Sequence, residues 1–218
     1  QLLFVGRLNT HVKGLDYLIE IMERVISIIP DCSLVIVGKG AGTAYLEKKI
    51  AEKKLEKNIQ MVGFQKDVES YYLGSKLLLS TSRWEGFGMS LLEAMANSVP
   101  CIAFENDGPN DIIQSELNGI LVPKFNIELL SDKIIEYLTD EEKYSDYLDS
   151  FKIQGIIKKY SDYIRYPIKM ELEKSKLKEG TENEYETYKE EETINSMVPL
   201  WKKSKKDITE EEYNSFYN

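Results

Sequence analysis

Two glutamates, Glu85 and Glu93, stand with seven residues between them and enclose the glycine-bearing segment Gly86-Phe87-Gly88-Met89-Ser90. The apolar run Leu77-Leu78-Leu79-Ser80-Thr81 leads into this segment and reads as a buried strand. Met89 to Ala96 follows with strong helix formers throughout. A strand, a glycine turn and a helix start in succession make an anion site. The first amides of the helix lack partners, the helix dipole adds partial positive charge, and the missing side chains let a phosphate approach the backbone. Glu85 lies on the turn, and Glu93 lies about a turn and a half into the helix, within reach of a ribose or sugar hydroxyl. Taken singly, each acid reads as an exposed surface residue, because charged side chains are mostly exposed. The glycine turn argues otherwise, since a solvated helix has no need of Gly-Phe-Gly at its start.

Two cations are candidates to face this turn. Arg7 follows the first apolar run and Lys13 lies six residues on, before the first helix. Arginine offers a planar fork that matches phosphate, and lysine a point charge. Either cation alone would be a solvated loop residue; opposite a helix N-terminus, the pair could hold a diphosphate. His11, the single histidine, reads as a loop residue in preference to a catalytic base.

The elements that must position these groups alternate along the chain. Short apolar strands are expected at Leu2–Gly6, Ser33–Gly38, Ile59–Gly63, Leu77–Thr81, Pro100–Phe104 and Gly119–Pro123. Between them, Leu15, Leu18, Ile19, Met22, Val25, Ile26 and Ile29 recur at helical spacing up to Pro30. Further helices are expected through Leu46 and Ile50, around Val68–Leu73, at Met89–Ala96 and at Ile127–Leu138. Continuous apolar strands alternating with amphipathic helices predict an α/β domain, a doubly wound parallel sheet of about six strands covered on both faces. Such sheets bind ligands at the carboxyl ends of their strands. Arg7, the glycines at 38, 40 and 42, Glu85–Ser90 and Asp107-Gly108-Pro109-Asn110-Asp111 all follow strands. A shared site explains that gathering better than a set of structural charges does.

Composition limits the partners. The 218 residues carry a formal net charge of -9, which argues against nucleic acid and against a basic membrane-binding surface. Cys32 and Cys101 sit in apolar runs and read as reduced core residues, without disulfide or metal spacing. No apolar run approaches the ~18 residues of a transmembrane helix, and no signal peptide is expected. A cytoplasmic location is therefore expected. The chain opens on a strand with no initiator methionine, so it reads as a fragment.

Phe4-Val5-Gly6-Arg7-Leu8, Lys13-Gly14, the Glu85–Glu93 segment, Asp107-Gly108-Pro109-Asn110-Asp111-Ile112-Ile113 and Asn118-Gly119-Ile120-Leu121-Val122 together resemble the retaining glycosyltransferases of family four. The resemblance spans about residues 2–138. It implies a Rossmann-like fold, the C-terminal, donor-binding half of the GT-B architecture. It further implies a catalytic set of Glu85, Arg7 and Lys13, with the cations on the donor diphosphate and Glu85 at the transferred sugar. The implied donor-binding set is Gly6, Phe64, Gln65, Gly86, Phe87, Gly88, Met89, Ser90 and Glu93. Within it, Glu93 would take the ribose hydroxyls, the backbone of Phe87–Ser90 the phosphate, and Phe64 and Gln65 the base. No metal and no cofactor are expected, because cations and helix amides stabilise the leaving diphosphate. The expected donor is a nucleoside-diphosphate sugar, with a UDP-sugar as the default. The acceptor would be a glycan, a lipid or a protein hydroxyl, and any peripheral membrane contact would run through the facing acceptor domain. That domain is expected to be missing here, so the chain alone is expected to bind nucleotide and transfer little or no sugar. Asp111 stands where many members of the family have Glu.

The chain changes character near Thr139, which suggests domains at 1–140 and 141–218. Residues 151–218 carry 13 Lys+Arg and 14 Asp+Glu with almost no glycine. The stretch from Lys169 to Glu192 reads as a charged linker or solvated face. Tyr166–Leu172 alternates like a strand, Ile153–Ile164 carries a helical stripe, Leu200-Trp201 would be an anchor, and Thr209-Glu210-Glu211-Glu212 suggests a capping box. Ile156–Ile168, Ile194–Lys203 and Thr209–Tyr217 resemble bacterial ninety-kilodalton heat-shock chaperones, where the ATPase domain ends and the middle domain begins. This resemblance covers about residues 144–218 and contributes no active-site residue. A poorly packed or extended α/β tail is expected. Two further readings stay open: a chaperone fragment without glycosyl transfer, and a nucleotide-binding module without catalysis.

Overall fold

The computed structural model describes residues 1–113, 118–140, 167–177 and 185–194. The chain divides into two compact units, Gln1–Asp149 and Ser150–Asn218.

The first unit alternates strand and helix. Its elements are β1 (Leu2–Val5), α1 (Thr10–Lys13), α2 (Leu15–Ile28), β2 (Leu34–Val37), α3 (Thr43–Glu52), β3 (Ile59–Gly63) and α4 (Glu69–Leu73). They continue with β4 (Leu77–Ser80), α5 (Met89–Ala96), β5 (Cys101–Phe104), α6 (Asp107–Ile112), β6 (Gly119–Val122) and α7 (Ile127–Thr139). The six strands form one parallel sheet in the order β3-β2-β1-β4-β5-β6. β1 and β4 lie at its centre, where the strand order reverses. In open α/β sheets this reversal opens a crevice beyond the carboxyl ends of the strands.

Strand residues alternate between the two faces. Leu2, Phe4, Leu34, Ile36, Leu77, Leu79, Ile102, Phe104, Ile120 and Val122 share a core with Leu15, Leu18, Met22 and Val25 of α2, Leu46 and Ile50 of α3, and Leu130 and Ile134 of α7. Leu3, Val35, Leu78, Cys101 and Ala103 face the other way and are also buried. On that side α5 packs against β4 and β5 with Leu91, Leu92 and Met95 inside. The six expected strands and the doubly wound parallel arrangement are all present. In α2 the buried stripe includes Ile21, whereas Ile26 and Ile29 are only partly covered.

One expectation is corrected. His11 and Lys13 belong to the one-turn helix α1, where a loop was expected; the Asn9 side chain caps it by accepting the Val12 amide at 3.0 Å. Asp107–Ile112, for which no element was expected, is helical. Proline is tolerated there because the first helical turn leaves its N–H positions unbonded in any case.

In the second unit the charged stretch is an antiparallel hairpin of β7 (Lys169–Leu177) and β8 (Tyr185–Thr193), and residues 187–191 are exposed, so it is a solvated face carried on strands. Opposite charges across the ladder favour pairing over repulsion. Lys174 contacts Glu190 and Glu192, Lys189 reaches Glu171 at 2.7 Å, and Lys169 reaches Glu191 at 2.5 Å. Ile168, Met170 and Ile194 are buried, and the Ile194 amide donates to the Ile168 carbonyl at 2.8 Å beyond the ladder. The expected stripe at 153–164, the Leu200-Trp201 anchor and the capping box at Thr209 lie outside the described residues. Among the described residues no helix is long and apolar enough to cross a membrane.

Candidate functional site at the strand-order reversal

β1 ends against β2 in a contact that only glycine permits. Gly38 has φ 142°, and a Cβ on it would lie 1.9 Å from the Gly6 carbonyl oxygen. The chain therefore leaves both strands flat and close, opening a cleft of about 380 Å³ over their ends. Its walls include Gly6 and Arg7 after β1, Lys39 after β2, Phe64 and Gln65 after β3, and Glu93 from α5. Four separated stretches of sequence thus contribute to one concavity. Phe64 is 64% exposed, so it is not a packing residue. The Lys39 ammonium sits over its ring at 5.4 Å from the centroid. Gln65 is pinned, donating to the Val62 carbonyl at 2.8 Å.

Glu93 is half-buried on the fifth residue of α5. The Tyr72 hydroxyl donates to its Oε2 at 2.8 Å. Desolvation pushes the Glu93 carboxyl above its ordinary value, and the Tyr72 hydrogen bond opposes the shift. Tyr72 itself is fully enclosed, and burial, followed by the neighbouring carboxylate, drives its hydroxyl well above the usual phenol range. It is a hydrogen-bond donor under any ordinary condition.

The second half of the site is built where α1 meets α2. Gly14 joins the two helices in the left-handed region, φ 59°, and a Cβ there would lie 2.1 Å from the Thr81 carbonyl oxygen. The Thr81 hydroxyl donates to the Lys13 carbonyl at 2.8 Å. These contacts press the end of α1 onto the segment leaving β4. The Lys13 Nζ lies 2.5 Å from Glu85 Oε2, and the Ser82 hydroxyl donates to the same oxygen at 3.1 Å. Lys13 also borders Gly6, whose Cβ position is 3.9 Å from Nζ. Lys13 and Glu85 therefore stand beside the cleft and already neutralise one another. Arg7 is exposed at the cleft wall.

The glycine turn divides its labour. Gly86 is exposed, and a Cβ there would meet nothing within 4 Å. Gly88 is buried at φ 90° and caps α5. Phe87 is half-covered beside Gly108 of α6. Among the described residues the amides of Met89 and Ser90 have no acceptor, as expected for a first helical turn. The Asp107–Asp111 segment does not line the cleft. It supports the turn from below: the Gly108 amide donates to the Glu85 carbonyl at 3.0 Å, and a Cβ on Gly108 would lie 2.4 Å from the Phe87 carbonyl oxygen.

Two side chains escaped the sequence reading. Arg83 forks onto Asp16 with Nη1–Oδ1 2.9 Å and Nη2–Oδ2 2.5 Å, and its guanidinium lies 4.0 Å from the Tyr17 ring centroid. Burial, the largest single influence, opposes ionisation of Asp16, but the Arg83 hydrogen bond, the local backbone amides and the Arg83 charge together outweigh it and hold the carboxyl below its ordinary value. Tyr72 is the other. An arginine beside a tryptophan in a loop and a tyrosine on a short amphipathic helix carry no sequence signal of their roles.

Comparison with known proteins accords with this architecture. Residues 1–150 match the family model for glycosyl transferases group 1, and residues 173–218 match the model for Hsp90 protein. A mutant of TarM from S. aureus, crystallised with fondaparinux, alpha-GlcNAc-glycerol and UDP, is 31% identical at a TM-score of 0.68, over 73% of this chain and 32% of that one. The C-terminal domain of LpcC, a glycosyl transferase group 1 family protein from Francisella tularensis, is 25% identical at a TM-score of 0.62, over 72% of this chain and 83% of that domain. The chaperone protein HtpG of Clostridium perfringens is 42% identical over 135 residues, 61% of this chain and 22% of the chaperone. The chain thus spans about a third of TarM and about a fifth of HtpG. The sheet, its glycine-opened helix and the family match over residues 1–150 together show that this chain belongs to the glycosyl transferases group 1 family.

Proposed function

We propose that residues 1–140 form the donor-binding domain of a retaining hexosyltransferase, with a UDP-sugar as donor. Arg7, Lys13 and the free amides at the start of α5 take the diphosphate. Glu93 takes the ribose hydroxyls, Phe64 and Gln65 border the base, and Glu85 meets the transferred sugar. The observation that carries this reading is the cleft itself, which joins Gly6, Arg7, Phe64, Gln65 and Glu93 in one wall, with Lys13 beside Gly6. In the reaction an acceptor hydroxyl of a glycan, lipid or protein attacks the anomeric carbon on the face from which the diphosphate departs. The bond to the diphosphate breaks, the glycosidic bond forms, and the hydroxyl proton passes to the leaving diphosphate. The cations and amides stabilise the charge that develops there. A cytoplasmic setting suits a nucleotide-sugar donor.

Residues 141–218 form a second module related to HtpG, and the similarity to Hsp90 protein over residues 173–218 supports that division. Titration calorimetry tests the donor reading. The purified chain should bind UDP and UDP-hexoses saturably, and Lys13→Ala or Glu93→Ala should abolish or severely weaken that binding. Absence of any nucleotide binding would instead favour a chaperone fragment.

A further inference from the structure

Glu93 is held by a residue to which none of the family motifs extends. Tyr72 lies on α4, is 1% exposed, and donates to Glu93 Oε2 at 2.8 Å. Its oxygen also lies 3.4 Å from the Ser90 carbonyl, in the first turn of α5. One hydroxyl therefore touches both the acid and the helix turn that carries the free amides. The same helix α4 begins just after Val68, which lines the cleft three residues beyond Gln65.

We infer that Tyr72 is a positioning residue for ribose recognition: it occupies one oxygen of Glu93 and turns the other toward the cleft. The inference rests on the donor-binding reading and deepens it. A glutamate on a helix has three rotatable side-chain torsions and loses substantial entropy when fixed. A buried donor anchoring one oxygen removes that cost before ligand arrives, and preorganisation of this kind raises affinity without a new ligand contact. The hydroxyl also lowers the proton affinity of the carboxyl against the opposing effect of burial. The other charged or titratable groups around the acid are Arg7 and Lys39 across the cleft, and Cys101 of β5 near Tyr72. Cys101 is buried and its thiol is pushed up, so it stays neutral. The two cations are exposed and unchanged by substitution of Tyr72.

The test compares UDP with 2′,3′-dideoxy-UDP on the full 218-residue chain across pH. Wild type should prefer UDP, and its affinity should rise as Glu93 ionises. Tyr72→Phe should reduce the preference roughly two- to tenfold, the worth of one hydrogen bond. It should also move the pH midpoint upward. A fluorinated tyrosine at position 72 keeps ring and hydroxyl but strengthens the donor, and should move the midpoint down. Glu93→Gln should remove the pH dependence of that preference, since the ionisation of the terminal phosphate is common to both ligands and cancels in their ratio. If wild type binds UDP without preferring it over the dideoxy ligand, the ribose role of Glu93 fails, and the inference with it. If wild type discriminates but Tyr72→Phe and the fluorinated variant leave both ratio and midpoint unchanged, the ribose reading stands and Tyr72 is merely structural.

Discussion

Lys13 Nζ and Glu85 Oε2 stand 2.5 Å apart although 72 positions separate them in the chain. The pair is mostly shielded, with 19% and 15% of the two side chains exposed. It exists because β1 and β4 are neighbours in the sheet, so the segments that follow them leave side by side. Without ligand, the lysine that would meet a diphosphate is already partnered by the acid that would meet the sugar.

Neutralising that acid should therefore free the lysine. Glu85→Gln is expected to strengthen binding of UDP by about 1 kcal/mol, roughly fivefold in affinity. Lys13→Met should weaken it in both the wild-type and Glu85→Gln backgrounds. Calorimetry on the four proteins gives the coupling directly, and an unchanged or weaker UDP affinity in Glu85→Gln would show that Lys13 does not meet the diphosphate.

The glycines separate packing from access. Gly14→Ala forces a left-handed backbone onto a Cβ and drives that Cβ into the Thr81 carbonyl. The backbone term alone is worth about 1–2 kcal/mol, and the overlap adds to it. Gly86→Leu should leave the denaturant midpoint nearly unchanged, because its side chain enters open space. It should nonetheless cost nucleotide binding at the turn. Urea unfolding and UDP titration of both variants check the contrast.

Arg83 and Asp16 form a two-pronged tie between the start of α2 and the turn bearing Glu85. Their double-mutant cycle should show a coupling of about 1–3 kcal/mol in stability, since the fork is largely shielded. Arg83→Lys should not restore it, because a point charge cannot satisfy two oxygens in one plane. A coupling near zero by chemical denaturation would mean the tie is only a surface contact.

Glu93 sets a pH dependence whose sign follows from burial. Its folded carboxyl has a raised pKa relative to the ordinary 4.5. Between that value and the raised one, the folded state binds more protons than the unfolded, so stability falls as pH rises through the window. UDP binding should move oppositely, strengthening as the carboxylate forms. Thermal unfolding of wild type and Glu93→Gln at increasing pH should show a slope in the first just above the ordinary value of 4.5 and a flatter line in the second.

The strands, most helix limits and the turn at Gly86–Gly88 were legible because each reports a local constraint. A strand buried on both faces must be apolar throughout, and a helix packed on one side must repeat with its own pitch. That Arg7, Lys13, Glu85 and Glu93 gather near one edge of the sheet was legible because their segments follow the ends of β1 and β4. Helix α6 and the charged hairpin were not. The first hides behind a glycine and a proline, whereas in the second Lys169, Lys174 and Lys189 reach glutamates offset across the ladder, a fact of register that a single strand does not contain.

Sequence alone therefore determined that a parallel α/β sheet forms here and that a glycine turn opens a helix after its fourth strand. Only the tertiary structure decided that Lys13 and Glu85 touch, that Arg83 grips Asp16, and that Tyr72 holds Glu93. Each of those contacts joins segments whose distance in space is set by strand order and by the close approach at Gly14, Gly38 and Gly108. Periodicity reports which side of an element is buried; it carries no information about which element lies next to it.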